Sequence, residues 1–171
     1  MWIYLSDKSS ARQIALLGVM FGIVIVLTTI EHFLVLPFMP PHAKPGLANI
    51  VVMYCVFSVG RKQAATLNIL KSLFVLITRG AVAGFLSFSG GMLSITVIIL
   101  LAGIKRNQAS YLAISVSGAL AHNMGQFMAM MFLLSMPALI YYIPLLMITG
   151  VVTGVLTGTL LKVLMPVLKK I

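Results

Sequence analysis

The stretch IALLGVMFGIVIVLTTI, residues 14–30, decides the fold class of this chain. It carries no charged residue, and with its flanks it reaches the roughly 20 residues that a helix needs to cross the hydrocarbon core of a bilayer. A signal-peptide core is shorter and is followed by a small-x-small cleavage site, which this segment lacks. We therefore expect a retained first membrane helix.

The composition of the whole chain extends this expectation. Of its 171 residues, 61% are hydrophobic and only 8% are charged, and the mean hydropathy is +1.14. A soluble domain carries roughly a quarter of charged residues, so this chain must turn apolar surface toward lipid. The net charge of +10 does not indicate nucleic-acid binding, because the cations lie in short gaps between apolar runs. The single cysteine, Cys55, excludes an internal disulfide and a CxxC metal site.

Prolines, glycines and charges divide the chain into six apolar segments within one transmembrane domain, residues 1–171. The predicted spans cover approximately residues 12–36, 46–60, 63–79, 84–104, 110–134 and 141–165. A proline-rich break is expected at residues 37–45, and a connection rich in glycine and serine at residues 80–91. The predicted fold class is an all-α polytopic membrane bundle of about six helices.

The distribution of Lys and Arg predicts the orientation, since short cytoplasmic loops carry an excess of both residues. With the N-terminus inside, the cytoplasmic set is Lys8, Arg12, Arg61, Lys62, Lys105, Arg106, Lys162, Lys169 and Lys170. Only Lys44 and Arg79 fall outside, and Lys71 lies within a span. We therefore expect a multi-pass protein of a bacterial-type cytoplasmic membrane with both termini in the cytoplasm.

Small residues recur every three or four positions in three spans, which favours close helix packing in lipid. The stripes are Ala11, Ala15, Gly18 and Gly22; Ala113, Ser117, Ala121, Gly125 and Ala129; and Gly150, Gly154 and Gly158, flanked by Thr149, Thr153 and Thr157. Each stripe has two interpretations, internal packing or contact with a partner subunit. The first stripe is the best candidate for partner docking, because it begins at the cytoplasmic edge.

Polar side chains inside a membrane segment are costly and indicate function by default. The candidate substrate-binding residues converge on the outer half of the bundle: Lys44, Asn49, Asn68, Lys71, Arg79, His122, Asn123 and Gln126. Structural alternatives stay open, with Lys71 pairing to a neighbouring helix and the fifth-span residues forming interhelical hydrogen bonds. Glu31 and His32, at the outer end of the first helix, have two interpretations, part of this outer polar cluster or a solvated helix end. The excess of basic groups predicts a negatively charged ligand.

Several chemistries are excluded by missing motifs. No GxxxxGK[ST] phosphate loop is present, so we expect no ATP hydrolysis by this chain. Asp7 and Glu31 are its only acids, so no acidic cluster can hold magnesium for prenyl transfer. The three histidines are not at ligand spacing, and no metal or cofactor is predicted. The chain is expected to be a binder or carrier and not an enzyme.

Three motifs carry a resemblance to a known family: KPGLANIV at residues 44–51, FLSFSGGMLS at 85–94 and GALAHNMGQ at 118–126. Over roughly residues 11–162 the chain resembles the Gx transporter family, also named heptaprenyl diphosphate synthase component I. That family is related to the S components of energy-coupling factor (ECF) transporters. The resemblance implies a six-helix protein that captures a vitamin or precursor at its outer face. It also implies docking, through the first-helix stripe, on a transmembrane T component associated with two cytoplasmic ATPases.

Two functional hypotheses follow. The first is an S component that binds a small anionic or aromatic nutrient, a quinone or isoprenoid precursor being one candidate. The second is a membrane accessory subunit, without transport activity, of a prenyl or quinone biosynthesis complex or of a redox complex. The genomic neighbourhood would discriminate them, since the first needs ECF partners and the second a soluble prenyl synthase or flavoprotein.

Overall fold

The computed structural model describes residues 10–33, 47–104, 110–135 and 137–168. These residues form the helices α1 (Ser10–Phe33), α2 (Asn49–Ser58), α3 (Arg61–Arg79), α4 (Ala81–Ile104), α5 (Tyr111–Leu134) and α6 (Ile143–Leu168). A 3₁₀-helix, Pro137–Tyr142, leads into α6, and the described ranges contain no strand. The predicted all-α bundle is confirmed. The proline-rich break at 37–45 lies outside the described residues.

The outer surface of this bundle is apolar, as expected for contact with lipid. Three described segments are long and apolar enough to cross a membrane, Gln13–Glu31, Ala81–Gly103 and Ile140–Val163. Large side chains such as Ile14, Phe132 and Ile77 are 69%, 79% and 80% exposed. Helices α3 and α5 are also long, but they carry polar residues that point into the bundle. The fold is therefore that of a membrane protein.

Helices α3 to α6 pack in sequence order as antiparallel neighbours. In each pair, residue numbers rise along one helix as those of their contact partners fall along the other. The contacts are Leu76–Gly84 and Asn68–Gly91 between α3 and α4, Ile98–Gly118 and Gly90–Gly125 between α4 and α5, and Leu120–Gly150 and Leu112–Gly158 between α5 and α6. Helix α2 packs against α3, and α1 contacts α2 and α3. A buried apolar core that includes Val24, Cys55 and Leu67 joins these first three helices.

The predicted glycine- and serine-rich connection at residues 80–91 is wrong. Gly80 alone makes the turn, with a φ of 89°, and α4 begins at Ala81. The glycines beyond it are points of close helix approach. A Cβ on Gly84 would lie 2.6 Å from Leu76 Cβ, and one on Gly90 would lie 2.8 Å from His122 O. Glycine is used there because neighbouring helices leave no room for a side chain.

The small-residue stripes divide into two kinds. On α6, a Cβ at Gly154 would lie 2.5 Å from Val116 Cα, so this stripe packs internally against α5. On α1, Ala11, Ala15, Gly18 and Gly22 are exposed, and a Cβ at either glycine would meet no atom of the described residues within 4 Å. Internal packing therefore does not explain the α1 stripe, and partner docking stays a prediction for it.

Candidate functional site

The polar residues of the predicted site are almost all buried in the bundle. Asn68, Lys71, His122, Asn123 and Gln126 are between 0% and 7% exposed. Buried polar groups in a membrane protein must find partners inside the bundle, because lipid offers none. Lys44 lies outside the described residues. The remaining predicted residues can therefore be placed by the contacts they make.

Lys71 reaches from α3 to the start of α2. Its Nζ donates a hydrogen bond of 2.6 Å to Oδ1 of Asn49, the first residue of α2. The carboxylate of Glu31 on α1 attracts the same ammonium group. A lysine that is 4% exposed needs such partners to remain charged. The structural alternative for Lys71, pairing with a neighbouring helix, is thus what this conformation shows.

Glu31 is not a solvated helix end, so that interpretation is wrong. The residue is 4% exposed, and its Oε1 accepts a 2.9 Å hydrogen bond from the backbone N–H of Ala48. The last turn of α1 therefore meets the beginning of α2. The carboxylate also attracts Arg79, so it lies among the cations that were predicted to bind a ligand. The side chain of His32 is not among those described.

Arg79 ends α3 and is half-buried. Its guanidinium donates to the backbone carbonyl of Thr28, one helical turn before Glu31 on α1. Lys71 and Arg79 therefore share Glu31 as their counter-charge. With these two cations and one acid, the described part of the cluster carries one excess positive charge.

The polar residues of α5 have different roles. Nδ2 of Asn123 donates to the Leu146 carbonyl oxygen of α6 at 2.7 Å and to Thr149 Oγ1 at 3.3 Å. Asn123 therefore forms the interhelical hydrogen bonds that were considered as an alternative. His122 and Gln126 instead lie one turn apart on the same helix, with 3.1 Å between their Nε2 atoms.

A small cavity, called the polar cavity below, lies between α2, α4, α5 and α6. Its volume of about 20 Å³ suits roughly one water molecule. The sequence-predicted residues that line it are Asn49, His122 and Asn123. The lining residues that the sequence did not single out for the site are Met53, Ser94, Ile98, Ser115, Gly118, Ala119, Thr153 and Thr157. This conformation is closed around the cavity.

Several polar atoms in and beside the polar cavity have no hydrogen-bond partner among the described residues. Ser115 and His122 both line the cavity; Ser115 Oγ is one of these atoms, whereas the His122 ring interacts with the backbone of Gly90. Asn68 Oδ1 and Gln126 Oε1 lie on the neighbouring turns of α3 and α5. Each unsatisfied buried group costs about 1–3 kcal/mol.

Asn68 lies apart from the lysine-centred contacts. Its Nδ2 donates a long hydrogen bond of 3.4 Å to the Phe88 carbonyl, and its side chain packs over Gly91 of α4. The structure therefore links Asn68 to α4, while Lys71, one turn later on α3, turns toward α2. In the described ranges, no group of three or more His, Cys, Asp or Glu residues converges as a metal site.

Comparison with known families identifies the group to which these features belong. A family model described as heptaprenyl diphosphate synthase component I matches residues 20–164. The chain belongs to this family. No curated protein and no solved structure matches it. The resemblance noted from the sequence motifs is confirmed for this component I family, and the relation to ECF S components stays a prediction.

The matched region of this component I family member contains every part of the site described above, from Thr28 on α1 to Thr157 on α6. Glu31 is the only acidic residue within that region. The carboxylate at the junction of α1 and α2 is therefore the sole acidic side chain available to balance the cations of the matched bundle.

Proposed function

We propose that this chain is the substrate-binding membrane subunit of an ECF transporter, an S component, and that it captures a small anionic molecule. The observation that carries the proposal is the polar cavity, which is lined by Asn49, which Lys71 holds, by His122, and by Ser115, whose Oγ has no partner among the described residues. A bundle that only anchors other proteins gains nothing from such a cavity, because each unpaired group costs stability.

The chemistry of the lining favours an anion over an aromatic molecule. Apart from the imidazole of His122, the lining consists of amides, hydroxyls and aliphatic groups. The adjacent cluster of Lys71, Arg79 and Glu31 carries one excess positive charge. Amide and hydroxyl donors next to a cation are the groups that proteins use to hold carboxylate and phosphate oxygens. The small volume of the polar cavity means that capture requires the helices to separate.

A binding role is preferred to catalysis because the chain has too few acidic residues for magnesium-dependent chemistry. Prenyl transfer with magnesium needs a cluster of carboxylates, and Glu31 is the only acid of the matched region. Glu31 already accepts from the Ala48 N–H and faces two cations. We therefore propose that the chain is not an enzyme and needs no cofactor.

The remaining surface fits docking on a T component with two cytoplasmic ATPases. The exposed stripe of α1 offers close approach to another helix, because Gly18 and Gly22 present bare backbone. Arg61 and Lys62, at the turn between α2 and α3, are exposed, as is Lys162 near the end of α6. These cations support placing both termini in the cytoplasm, although α2, with 10 residues, is too short to cross the bilayer as a single helix.

The proposal is tested by identifying small molecules that the purified protein retains from its native membrane, using mass spectrometry of the denatured sample. Thr157 and Thr159 provide a matched pair of variants. Both hydroxyls donate to the carbonyl of the residue four positions earlier, at 2.7 and 2.8 Å, but only Thr157 lines the polar cavity. Thr157→Val should reduce the retained amount at least tenfold, and Thr159→Val should leave it unchanged.

Two results would contradict the proposal. One is the absence of any retained anion from protein purified out of its native membrane. The other is an equal effect of Thr157→Val and Thr159→Val on retention, which would show that the polar cavity does not touch the molecule.

A second candidate function is favoured by the family description. As a member of the heptaprenyl diphosphate synthase component I family, the chain is a candidate membrane subunit of a heptaprenyl diphosphate synthase system. Affinity purification from the native membrane discriminates the two proposals. Recovery of a T component and ATPases supports the S component, whereas stoichiometric recovery of a soluble prenyl synthase subunit supports the accessory role.

A further inference from the structure

The start of α2 is held by a side chain from another helix. Ala48 occupies the N-cap position and has no side-chain acceptor of its own, and its N–H donates to Glu31 Oε1. The first turn of a helix presents unpaired N–H groups and a partial positive charge, which stabilise an anion. The Glu31 carboxylate therefore lies where a helix terminus binds anions best.

Two cationic side chains complete this environment. Lys71 and Arg79, both on α3, are attracted to the same carboxylate. A helix N-terminus together with an ammonium and a guanidinium group is a combination that proteins use for carboxylate and phosphate ligands. We call the Ala48 N–H, Lys71 and Arg79 the anion cluster. In this conformation the anion that these groups hold is the carboxylate of Glu31 from the same chain.

The anion cluster is continuous with the polar cavity. Lys71 Nζ bonds to Asn49, and Asn49 lines the cavity beside His122 and Ser115. Ser115 is 1% exposed and its Oγ has no partner among the described residues, an observation independent of the helix terminus. A ligand group that reaches Asn49 in the cavity is thus separated by one residue from Lys71, one of the two cations that attract Glu31.

We propose that Glu31 is an internal substitute for the anionic group of the ligand. A carboxylate or phosphate that binds the anion cluster displaces the Glu31 carboxylate from Ala48, Lys71 and Arg79. This inference rests on the proposed binding function and adds to it a ligand class and a competing residue. It also couples binding to α1, because the Glu31–Ala48 hydrogen bond ties the end of α1 to the start of α2.

The charge balance explains why the two anions compete. With Glu31 in place, the anion cluster and its carboxylate carry one net positive charge, and without it they carry two. A second anion placed beside Glu31 would meet a like charge in a medium of low dielectric constant, which is strongly unfavourable. Glu31 must therefore leave the cations or become neutral when the ligand binds.

Inorganic diphosphate is the probe for the first experiment, because it presents several anionic oxygens without an organic group. Its dissociation constant is measured by calorimetry on the full chain in lipid nanodiscs. Glu31→Gln removes the negative charge and retains an oxygen that accepts from Ala48. We expect Glu31→Gln to bind diphosphate at least tenfold more tightly than the natural chain. Adding Lys71→Met to Glu31→Gln should abolish that gain, whereas adding the exposed Lys62→Met should preserve it.

The first arm of the second experiment requires no ligand and therefore separates this inference from the proposed function. Spin labels at Phe33 and Ile77, each 80% exposed, report the distance between the end of α1 and α3. Glu31→Ala without any anion should shift this distance by about 2 Å, the scale of helix shifts in switching proteins. Diphosphate should produce the same shift in a chain that retains Glu31.

Two outcomes overturn the inference. Glu31→Gln could bind diphosphate no more tightly than the natural chain, which would show that the carboxylate does not compete. Glu31→Ala could leave the label distance unchanged while diphosphate still binds, which would show that the ligand uses other groups, and the proposed binding function would then stand alone.

Discussion

Replacing Lys71 with methionine shortens the side chain by one atom, keeps its unbranched apolar stem and removes the charge that faces Glu31 and Asn49. Removing one partner of a buried ion pair costs about 3–5 kcal/mol, because the other charge stays buried. Arg79 remains as a counter-charge for Glu31, which places the expected cost at the lower end. We therefore expect Lys71→Met to lower the free energy of unfolding by about 3 kcal/mol.

Glu31→Gln should cost a similar amount, about 3 kcal/mol, because it leaves Lys71 and Arg79 without a counter-charge. In the double variant, Arg79 is the only one of the three charges that remains, and because it is half-buried, solvent can stabilise it in part. Neighbouring residues of one network couple by about 0.5–3 kcal/mol, so the double variant should cost about 4 kcal/mol instead of about 6. The cycle therefore predicts a coupling free energy of about 2 kcal/mol.

The assay is reversible unfolding in mixed micelles with an increasing fraction of sodium dodecyl sulfate, followed by circular dichroism. Lys62→Met is the matched control, since Lys62 is exposed and its loss should change the free energy of unfolding by less than about 0.5 kcal/mol. Strictly additive costs for Glu31→Gln and Lys71→Met would refute the argument. So would a cost for Lys71→Met no larger than that for Lys62→Met.

Three further predictions concern packing, thiol access and docking. Gly154→Ala should destabilise the chain by about 1 kcal/mol, because overpacking against Val116 costs more free energy than the higher helix propensity of alanine contributes. Gly18→Ala, with open space around it, should be neutral or stabilising, and thermal unfolding of the two variants compares their stabilities. Cys55 is 0% exposed and should react with N-ethylmaleimide only after denaturation, as mass spectrometry of labelled and unlabelled protein would show. Ala15→Leu combined with Gly18→Leu should weaken co-purification of a T component and leave anion retention unchanged.

The helical segments were largely predictable from the sequence, because lipid leaves the backbone few alternatives to the helix. Apolar runs and the charges between them locate helices such as α1 and α5. The region 80–91 was misjudged for a physical reason. Glycine and serine favour turns in water, and the same residues let helices approach closely in a membrane. The sequence cannot distinguish these uses, because they depend on helix packing, and the decisive neighbour of Gly90, His122, is distant along the chain.

The candidate site was predictable residue by residue but not as a set of contacts. Lys71, Asn49 and His122 stood out because polar groups are rare in apolar helices. The hydroxyls of Thr153 and Thr157 did not, since helical threonines usually donate to their own helix, as both do here. Only the packing of α6 against α5 shows that these two residues also line the polar cavity.

The environment of Glu31 was not predictable from the sequence, because it depends on how α2 packs against the end of α1. Its position at the end of an apolar run is compatible with solvent, and only the approach of α2 places it under the Ala48 N–H. Once it is placed there, its carboxylate offsets one of the two described cations, Lys71 and Arg79, and the expected ligand changes from any anion to an anion that can replace a carboxylate. A ligand shifts a conformational equilibrium only by its difference in affinity for the two states. An anion can bind Lys71 and Arg79 in place of Glu31, whereas a neutral molecule leaves Glu31 bound to them. Only the anion should therefore break the Glu31–Ala48 hydrogen bond and release α1 from α2.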